Sequence, residues 1–252
     1  MSISLENGIA AEIDYPDSDG QPMSDNTKQF RWIVTIEGGL ELLYAGDPNV
    51  FVAGDLLWYP VEGNPKIRAA PDAMVVFGRP KGDRGSYRQW MEDSIAPQVV
   101  FEVLSPGNRP DEMLDKLAFY ERYGVEEYYV YDPDNGELEG WLRSHGRLQR
   151  VESMSGWISP RLRVRFELAV EDLVLFRPNG QRFLSFIEMD QRAEQAEASA
   201  EQALASAEQA HADAEQARQR AAHAEQNMAL LLQQLRAAGI EPNLPESKGA
   251  NP

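Results

Sequence analysis

The apolar positions change their period from segment to segment in the first 180 residues, as they do in a domain that mixes helices with strands. The segment SDNTKQFRWIVTIEGGLELLYAG (24–46) predicts a helix with an apolar side. We expect this helix to begin at Ser24, whose hydroxyl can cap it, and to be interrupted at Gly38 and Gly39. A second helical pattern, DEMLDKLAFYERYGV, ends at Gly124, a natural stop for a helix.

Runs of β-branched and aromatic residues bounded by Gly, Pro or Asn predict strands around these helices. Such runs are VFVAGDLLWYP, KIRAAPDAMVVFG, VVFEV, RLQRVE, RVRFELA and DLVLF. The segment EEYYVYDPDNGELEGWLR predicts a hairpin with Asn135 and Gly136 in its loop. The order of helix, strands, helix and strands predicts a mixed α/β domain with one central sheet.

The pattern changes near residue 185 to a strict seven-residue period. From there to residue 238 the chain is almost wholly Ala, Glu, Gln, Arg and Leu, and AEQA recurs four times at this spacing. A sustained 3.5-residue repeat predicts a left-handed coiled coil. Its a positions are Phe186, Ala193, Ala200, Ala207, Ala214, Ala221, Met228 and Leu235, and its d positions are Met189, Ala196, Ala203, Ala210, Ala217, Ala224 and Leu231.

Three segments follow from these patterns: an α/β domain over 1–184, a coiled-coil helix over 185–238 and a polar, Pro-rich, disordered tail over 239–252. We expect the coil to make the protein a homo-oligomer, and a dimer is the first expectation. The alternative is a single solvated helix. The larger residues at the two ends of the seam should contribute most of the association energy, because alanine buries little area.

Composition and charge restrict the function. The absence of cysteine excludes disulfides, thiol nucleophiles and thiolate metal sites, and it agrees with a reducing compartment. Residues 1–20 lack a basic start followed by an apolar segment, and no apolar run approaches the roughly 20 residues that span a bilayer, so we expect a cytoplasmic protein. A net charge of -17 argues against broad binding to nucleic acid. A polyanionic substrate would require a local basic patch or a metal ion.

A glutamate in an apolar strand is the strongest chemical signal. Glu102 stands within VVFEVLSPGN (99–108), which predicts a buried strand and a turn. A buried carboxylate is normally paired, protonated or bound to a metal. Asp72 opens the strand AMVVF, and if the two strands are neighbours the two acids offer the hard oxygen ligands that Mg²⁺ or Mn²⁺ prefers. Lys116, on the following helix, could bend toward the acids to orient or deprotonate a water and to offset charge on a phosphate.

Each of these residues also has an ordinary structural interpretation. Asp72 could be a turn residue, Glu102 could pair with a buried Arg or Lys, and Lys116 could be solvated. The Gly/Pro-rich connection RPKGDRGSYRQW could contact phosphates and stack a base, or it could be a charged loop exposed to water. Its candidate nucleic-acid contacts are Arg79, Lys81, Arg84 and Arg88.

The ordered set PDAMVVFG, PQVVFEVLSPGN and EMLDKLAFYERYGVEEYYVYDPD resembles the Uma-two family of restriction-endonuclease-like proteins, a branch of the PD-(D/E)xK nuclease superfamily. The resemblance covers roughly residues 15–185, and the coiled-coil tail looks like that of a subgroup of the family. It implies an α/β fold: a restriction-endonuclease-like core with a mixed central sheet flanked by helices, followed by a long C-terminal coiled-coil helix. The domain over 1–184 would then be nuclease-like.

The resemblance also implies a metal-dependent phosphodiesterase that uses Mg²⁺ or Mn²⁺. Asp72 matches the motif aspartate, Glu102 the second acid, and the main-chain carbonyl of Val103 a further metal ligand. Leu104 departs from the pattern, because the superfamily expects lysine there. Lys116 matches a lysine that this family has moved to the following helix.

Two classes of function therefore compete. The first is a Mg²⁺-dependent endonuclease that hydrolyses DNA phosphodiester bonds, with the coil bringing two catalytic domains together. The second is an interaction or regulatory protein that keeps the nuclease fold, assembles through its coil and has weak or lost cleavage. The two acids and the candidate lysine favour the first class. The charge of -17 and Leu104 favour the second.

Overall fold

A computed structural model of the protein describes residues 13–18, 20, 22–169, 172–239 and 241. The chain divides into two compact units, Met1–Glu188 and Met189–Pro252. Most of the tail predicted to be disordered lies outside the described residues. Within the described part of the chain, no helix is both long and apolar enough to cross a membrane.

The described residues form helices α1 to α3 and strands β1 to β10. The helices are α1 Thr27–Leu43, α2 Pro110–Tyr123 and α3 Phe186–Ala237, with a 3-10 turn at Gln89–Met91. The strands are β1 Val50–Ala53, β2 Trp58–Tyr59, β3 Ala73–Phe77, β4 Tyr87–Arg88, β5 Val99–Val103, β6 Glu127–Asp132, β7 Glu137–Ser144, β8 Arg147–Arg150, β9 Arg165–Leu168 and β10 Leu173–Phe176.

A six-stranded mixed sheet with the order β1-β3-β5-β6-β7-β8 forms the centre of the first unit. Strands β5 and β6 are parallel, and the other neighbours in this sheet are antiparallel. Helix α2 connects β5 to β6, since parallel neighbours require a crossover. The predicted mixed α/β fold is confirmed. Two small two-stranded sheets, β2 with β4 and β9 with β10, accompany the central sheet.

Strand β5 alternates between two apolar cores, one on each face of the central sheet. Val99, Phe101 and Val103 belong to the core that includes residues of α1, whereas Val100 belongs to the core that includes residues of α2. This alternation follows from the two-residue period of a strand. Glu102 therefore lies on the face covered by α2.

The predicted start of α1 is wrong by two residues, and the predicted interruption does not occur. Asn26 caps the helix because its side-chain oxygen accepts hydrogen bonds from the main-chain N–H groups of Lys28 and Gln29. The helix runs through Gly38 and Gly39 without a break. A side chain at Gly39 would overlap the ring of Phe183, so this glycine allows a close contact within the core.

The predicted ends of α2 and of the hairpin are confirmed. Gly124 ends α2 with a φ of 102°, in the left-handed region that glycine enters at little cost. Strands β6 and β7 form the antiparallel hairpin, and Gly136 in its turn has a φ of 67°. The segment KIRAAPDAMVVFG becomes a strand only from Ala73, and VFVAGDLLWYP divides into β1 and β2.

Helix α3 is one continuous helix of 52 residues. It begins with a reciprocal cap, in which the hydroxyl of Ser185 and the carboxylate of Glu188 exchange hydrogen bonds with each other's main-chain N–H groups. No residue of α3 is buried. The prediction of a helix here is confirmed, whereas its self-association stays a prediction.

Substitution of the two adjacent glycines of α1 should have opposite effects. We expect Gly39→Ala to lower the free energy of unfolding by about 1–3 kcal/mol, because the new methyl group overpacks against Phe183. Gly38→Ala meets no atom within 4 Å, so helix propensity should make it neutral or stabilising by up to about 1 kcal/mol. Urea unfolding of both variants measures the difference. Equal stability of the two would contradict the proposed packing role of Gly39.

Candidate active site

Two acids lie at one end of the neighbouring strands β3 and β5. These strands pair antiparallel with Ala73 opposite Phe101, so the next position in the same register sets Asp72 opposite Glu102. Residues directly opposite one another in a sheet project from the same face. The carboxylate of Asp72 also accepts a hydrogen bond of 2.6 Å from the main-chain N–H of Val103. The expected pairing of the two strands is confirmed.

The carboxylate of Glu102 is held by two donors from α2. The ammonium of Lys116 lies 2.8 Å from Oε2, and the hydroxyl of Tyr120 donates to Oε1 over 2.5 Å. Residues four apart share one face of a helix, so both donors reach the same carboxylate. Glu102 is 2% exposed and Tyr120 is fully buried. The buried charge is thus paired and hydrogen-bonded, and the three predicted residues Asp72, Glu102 and Lys116 come together.

Electrostatic coupling links this cluster. Burial and the neighbouring Glu102 carboxylate raise the pKa of Asp72 well above its usual range, although the Val103 N–H and Lys116 act in the opposite direction. Burial tends to lower the pKa of Lys116, but the contact with Glu102 prevails and raises it to about 12. Lys116 therefore carries a positive charge at neutral pH. This charge suits stabilisation of an anion better than abstraction of a proton.

The carbonyl of Val103 has a side-chain partner that the sequence analysis missed. The amide nitrogen of Gln29 donates to this carbonyl over 2.8 Å, while its Oε1 accepts from the main-chain N–H of Asp25, also over 2.8 Å. Gln29 is buried on α1. The signal available in the sequence was its position, because Gln29 falls on the same helical stripe as the buried Ile33 and Ile36.

The turn after β5 is attached to the start of the same helix. The hydroxyl of Ser105 donates to the carboxylate of Asp25 over 2.5 Å, and the main-chain N–H of Ser105 donates to the side chain of Asn108 over 2.7 Å. Together with the hydrogen bond from Gln29, these contacts fix the main chain that follows Val103. The end of β5 is therefore held by α1 as well as by α2.

The predicted nucleic-acid contacts all have partners within the protein. Arg79 and Arg84 both bind Glu92, at 2.8 and 2.7 Å, and Lys81 pairs with Glu41 at 2.9 Å. Arg88 donates to the main-chain carbonyl of Tyr15, and its guanidinium lies 5.2 Å from the centre of the Tyr15 ring. These contacts give the four cations a structural role. Their binding to phosphates stays a prediction.

Tyr128 adds an unsatisfied donor close to the acids. Its hydroxyl is buried and has no hydrogen-bond partner in the described part of the chain. The ring of Tyr128 lies 4.9 Å, between centres, from the ring of Tyr120, whose hydroxyl binds Glu102. Burial raises the pKa of Tyr128, and the charges of Glu102 and Asp72 raise it further. A buried hydroxyl of this kind is unusual in a protein core, and it is able to bind a water, an ion or a ligand group.

The donor set fits a hard divalent cation. Two carboxylates on facing strand positions and the Val103 carbonyl are all oxygen donors, of the kind that Mg²⁺ and Mn²⁺ prefer. Among the described residues no group of three or more His, Cys, Asp or Glu side chains could hold a metal ion. An ion bound here would therefore depend on the main chain and on water for its remaining ligands, as Mg²⁺ commonly does.

Comparison with known proteins defines the class. The model of the Uma2 family, described as "Putative restriction endonuclease", matches residues 21–171, more than half of the chain. The protein is thus a member of a restriction-endonuclease-like class of nucleases. The chain belongs to the Uma2 family.

Two further comparisons complete this result. A solved structure described as a "putative nuclease belonging to DUF820 from Anabaena variabilis ATCC 29413" is similar over 54% of this chain and 72% of its own chain, at 12% identity and a TM-score of 0.41. No curated protein matches the sequence.

Gln29→Met tests the attachment of Val103 to α1. The methionine keeps the volume of the side chain but leaves the Val103 carbonyl and the Asp25 N–H without their partner, so unfolding should become easier by about 1–3 kcal/mol. Lys28→Met is the control, since Lys28 is exposed and its ion pair with the exposed Asp134 should contribute less than about 1 kcal/mol. If chemical denaturation finds the two variants equally stable, the contacts of Gln29 do not hold the strand.

Tyr120→Phe tests the hydrogen bond to Glu102. The substitution keeps the ring packing and removes one donor from a buried carboxylate, which should cost about 1–3 kcal/mol. The double variant with Glu102→Gln should lose less unfolding free energy than the sum of the two single variants, because both substitutions disturb the same interaction. A double-mutant cycle by urea unfolding measures this coupling, and strict additivity would contradict the contact.

Proposed function

We propose that the protein is a divalent-metal-dependent endonuclease that hydrolyses the phosphodiester bonds of DNA. The observation that carries this proposal is the convergence of Asp72, Glu102 and Lys116 at one end of β3 and β5. Membership of a restriction-endonuclease-like family supports a nuclease, and the hard oxygen donors support the dependence on Mg²⁺ or Mn²⁺. The metal ligands in this proposal are Asp72, Glu102 and the Val103 carbonyl.

A bound divalent ion would supply a Lewis acid for the phosphate and an acidified water as nucleophile. The chain's own residues have separate tasks. Tyr120 fixes the carboxylate of Glu102, and Gln29 fixes the Val103 carbonyl, so the donors are oriented before any ligand arrives. Preorganisation of this kind is a principal source of catalysis.

Lys116 supplies positive charge next to the reacting phosphate in this proposal. Its pKa, raised to about 12, supports electrostatic stabilisation and argues against the role of general base. Its side chain is 27% exposed, whereas that of Glu102 is 2% exposed. The ammonium can therefore turn from Glu102 toward an incoming phosphate while the acid stays in place.

The proposal assigns phosphate contacts outside the cluster to Arg79, Lys81, Arg84 and Arg88. Guanidinium groups bind phosphate oxygens through paired hydrogen bonds, in the same way that Arg84 now binds both carboxylate oxygens of Glu92. Arg79 divides its donors between Glu92 and Asp93. A phosphate would compete with these internal carboxylates. DNA binding should therefore be weak and sensitive to salt, which also agrees with the net charge of -17.

A second function, an interaction or regulatory protein with weak or lost cleavage, has a specific observation in its favour. Lys116 alone already balances the charge of Glu102 through an ion pair, so the cluster is satisfied as a structural feature without a metal. The strongly acidic chain is a poor match for DNA over most of its surface.

Cleavage of supercoiled plasmid with Mn²⁺ or Mg²⁺ tests the first function. We expect Glu102→Gln and Asp72→Asn to lower the rate at least about a thousandfold, by loss of ligand charge. Lys116→Met should lower it about a hundredfold, with partial recovery in Lys116→Arg. Glu126→Gln is the matched control, because it makes the same chemical change at a partly exposed residue that pairs with Arg161. Cleavage that persists in Glu102→Gln would come from a contaminant or another site.

Calorimetric titration with Mn²⁺ separates the two functions. The endonuclease requires binding heat in the wild type that disappears in Asp72→Asn and Glu102→Gln but persists in Glu126→Gln. If the folded wild-type protein shows neither binding heat nor cleavage, the second function, that of an interaction or regulatory protein, is the correct one. Single-stranded RNA offered beside the plasmid identifies the substrate class, since DNA is expected and preferential RNA cleavage would overturn that part of the proposal.

A further inference from the structure

The surface of α3 carries exposed large apolar side chains at both of its ends. Phe186, Met228 and Leu231 are 76%, 55% and 55% exposed, and all three occupy the a and d positions of the heptad repeat. A globular protein rarely exposes such residues in one line unless they contact a partner. A second copy of the same helix is the partner whose seam has the matching seven-residue period.

The charges beside this seam discriminate between the two directions of pairing. In a parallel pair, each g position faces the e position of the following heptad of the partner, five residues further along. Three such pairs carry charge on both sides: Arg192 with Glu197, Asp213 with Arg218, and Arg220 with Glu225. All three pairs are opposite in charge, and all six residues are exposed on α3.

The antiparallel alternative matches the large residues equally well but not the charges. The alignment that sets Phe186 against Leu231 and Met189 against Met228 brings g positions to g positions and e positions to e positions. Arg192 then meets Asn227 rather than an acid, Asp190 meets Glu225, and of the charged pairs only Glu197 with Arg218 is opposite in charge. Like charges in such pairs are destabilising. The e and g residues therefore favour the parallel direction.

We propose that α3 binds a second copy of this chain as a parallel, in-register two-stranded coiled coil. The partner is another α3, recognised through the apolar seam and through the three alternating charge pairs. This inference does not depend on DNA cleavage and holds equally for an interaction protein. In a parallel pair the two copies of α3 have their Phe186 ends together.

Single cysteines test the direction, because the natural chain contains none. In the full-length protein, Ala193→Cys at an a position and Ala224→Cys at a d position should each form a homodimeric disulfide under mild oxidation. The parallel seam brings identical positions within the roughly 6 Å between Cα atoms that a disulfide requires. Ala198→Cys, on the opposite face, is the matched control and should cross-link at least about tenfold more slowly.

The other cross-linking outcomes overturn the proposal. An antiparallel coil would set residue 193 against residue 224, so disulfides that form only in a mixture of the two variants would show that direction. Equal rates at residues 193 and 198 would show random collision. A full-length protein that sediments as a monomer at tens of micromolar would exclude the coil altogether.

Charge reversal tests whether the three charge pairs contribute to the parallel pairing of the two α3 helices. Arg192→Glu with Arg220→Glu makes four repulsive contacts in the symmetric dimer, and we expect its dissociation constant to rise about tenfold or more at low salt. Adding Glu197→Arg and Glu225→Arg restores both the pairs and the natural net charge, so affinity should return. Sedimentation equilibrium measures the dissociation constants of the reversed and the restored variants. No change on reversal, or no recovery on restoration, would contradict recognition through these pairs.

Discussion

A carboxylate in the middle of a central strand is the constraint on which the site depends. Glu102 is almost fully enclosed, and an unpaired buried charge would cost several kcal/mol at least, so the surrounding structure must supply partners. Lys116 and Tyr120 meet that need from one face of α2. Helix α2 lies over Glu102 because it is the crossover between two parallel strands, β5 and β6. The crossover that the parallel strands require therefore also supplies the residues that neutralise Glu102.

The opposite side of the same strand is held by a different helix. The side chain of Glu102 faces α2, whereas the carbonyl of the next residue, Val103, is bound by Gln29 from α1. The main-chain N–H of Val103 in turn is bound by Asp72. Side chain and main chain at the end of β5 are thus fixed by both cores of the domain. A change in the packing of either helix would be felt at the two acids.

The sequence was sufficient where the signal was local. The strands that carry Asp72 and Glu102 followed from two short apolar runs with clear turns, and the end of α2 followed from Gly124. The pairing of these two strands was only a condition of the metal hypothesis until the structure showed it. The sequence was insufficient where a distant contact prevailed. Gly39 interrupts a helix by propensity, but in the fold it makes room for Phe183, which lies far along the chain.

The sequence analysis missed Gln29 for another reason: its binding partner has no sequence signature. Gln29 binds a main-chain carbonyl, and any residue could provide such a group. The basic loop has the opposite difficulty. Arg79 and Arg84 have the composition of a phosphate site, yet Glu92 occupies both, and only the folded chain brings this acid between them. Residue type alone does not distinguish an anion of the protein from an anion of a ligand.

The charges of the cluster decide which of its members can move. Lys116 balances the charge of Glu102, and the carboxylate of Asp72 accepts a hydrogen bond from the main-chain N–H of Val103, so each acid of the buried cluster has a partner. These partners let two acids lie together within the fold. Glu102 is buried and is bound by Tyr120, whereas the side chain of Lys116 is partly exposed to solvent. Because a lysine side chain is long and flexible, it can exchange one anion for another without disturbing the strands. The acid is therefore the fixed element of the site, and the lysine is the element that can respond to a substrate.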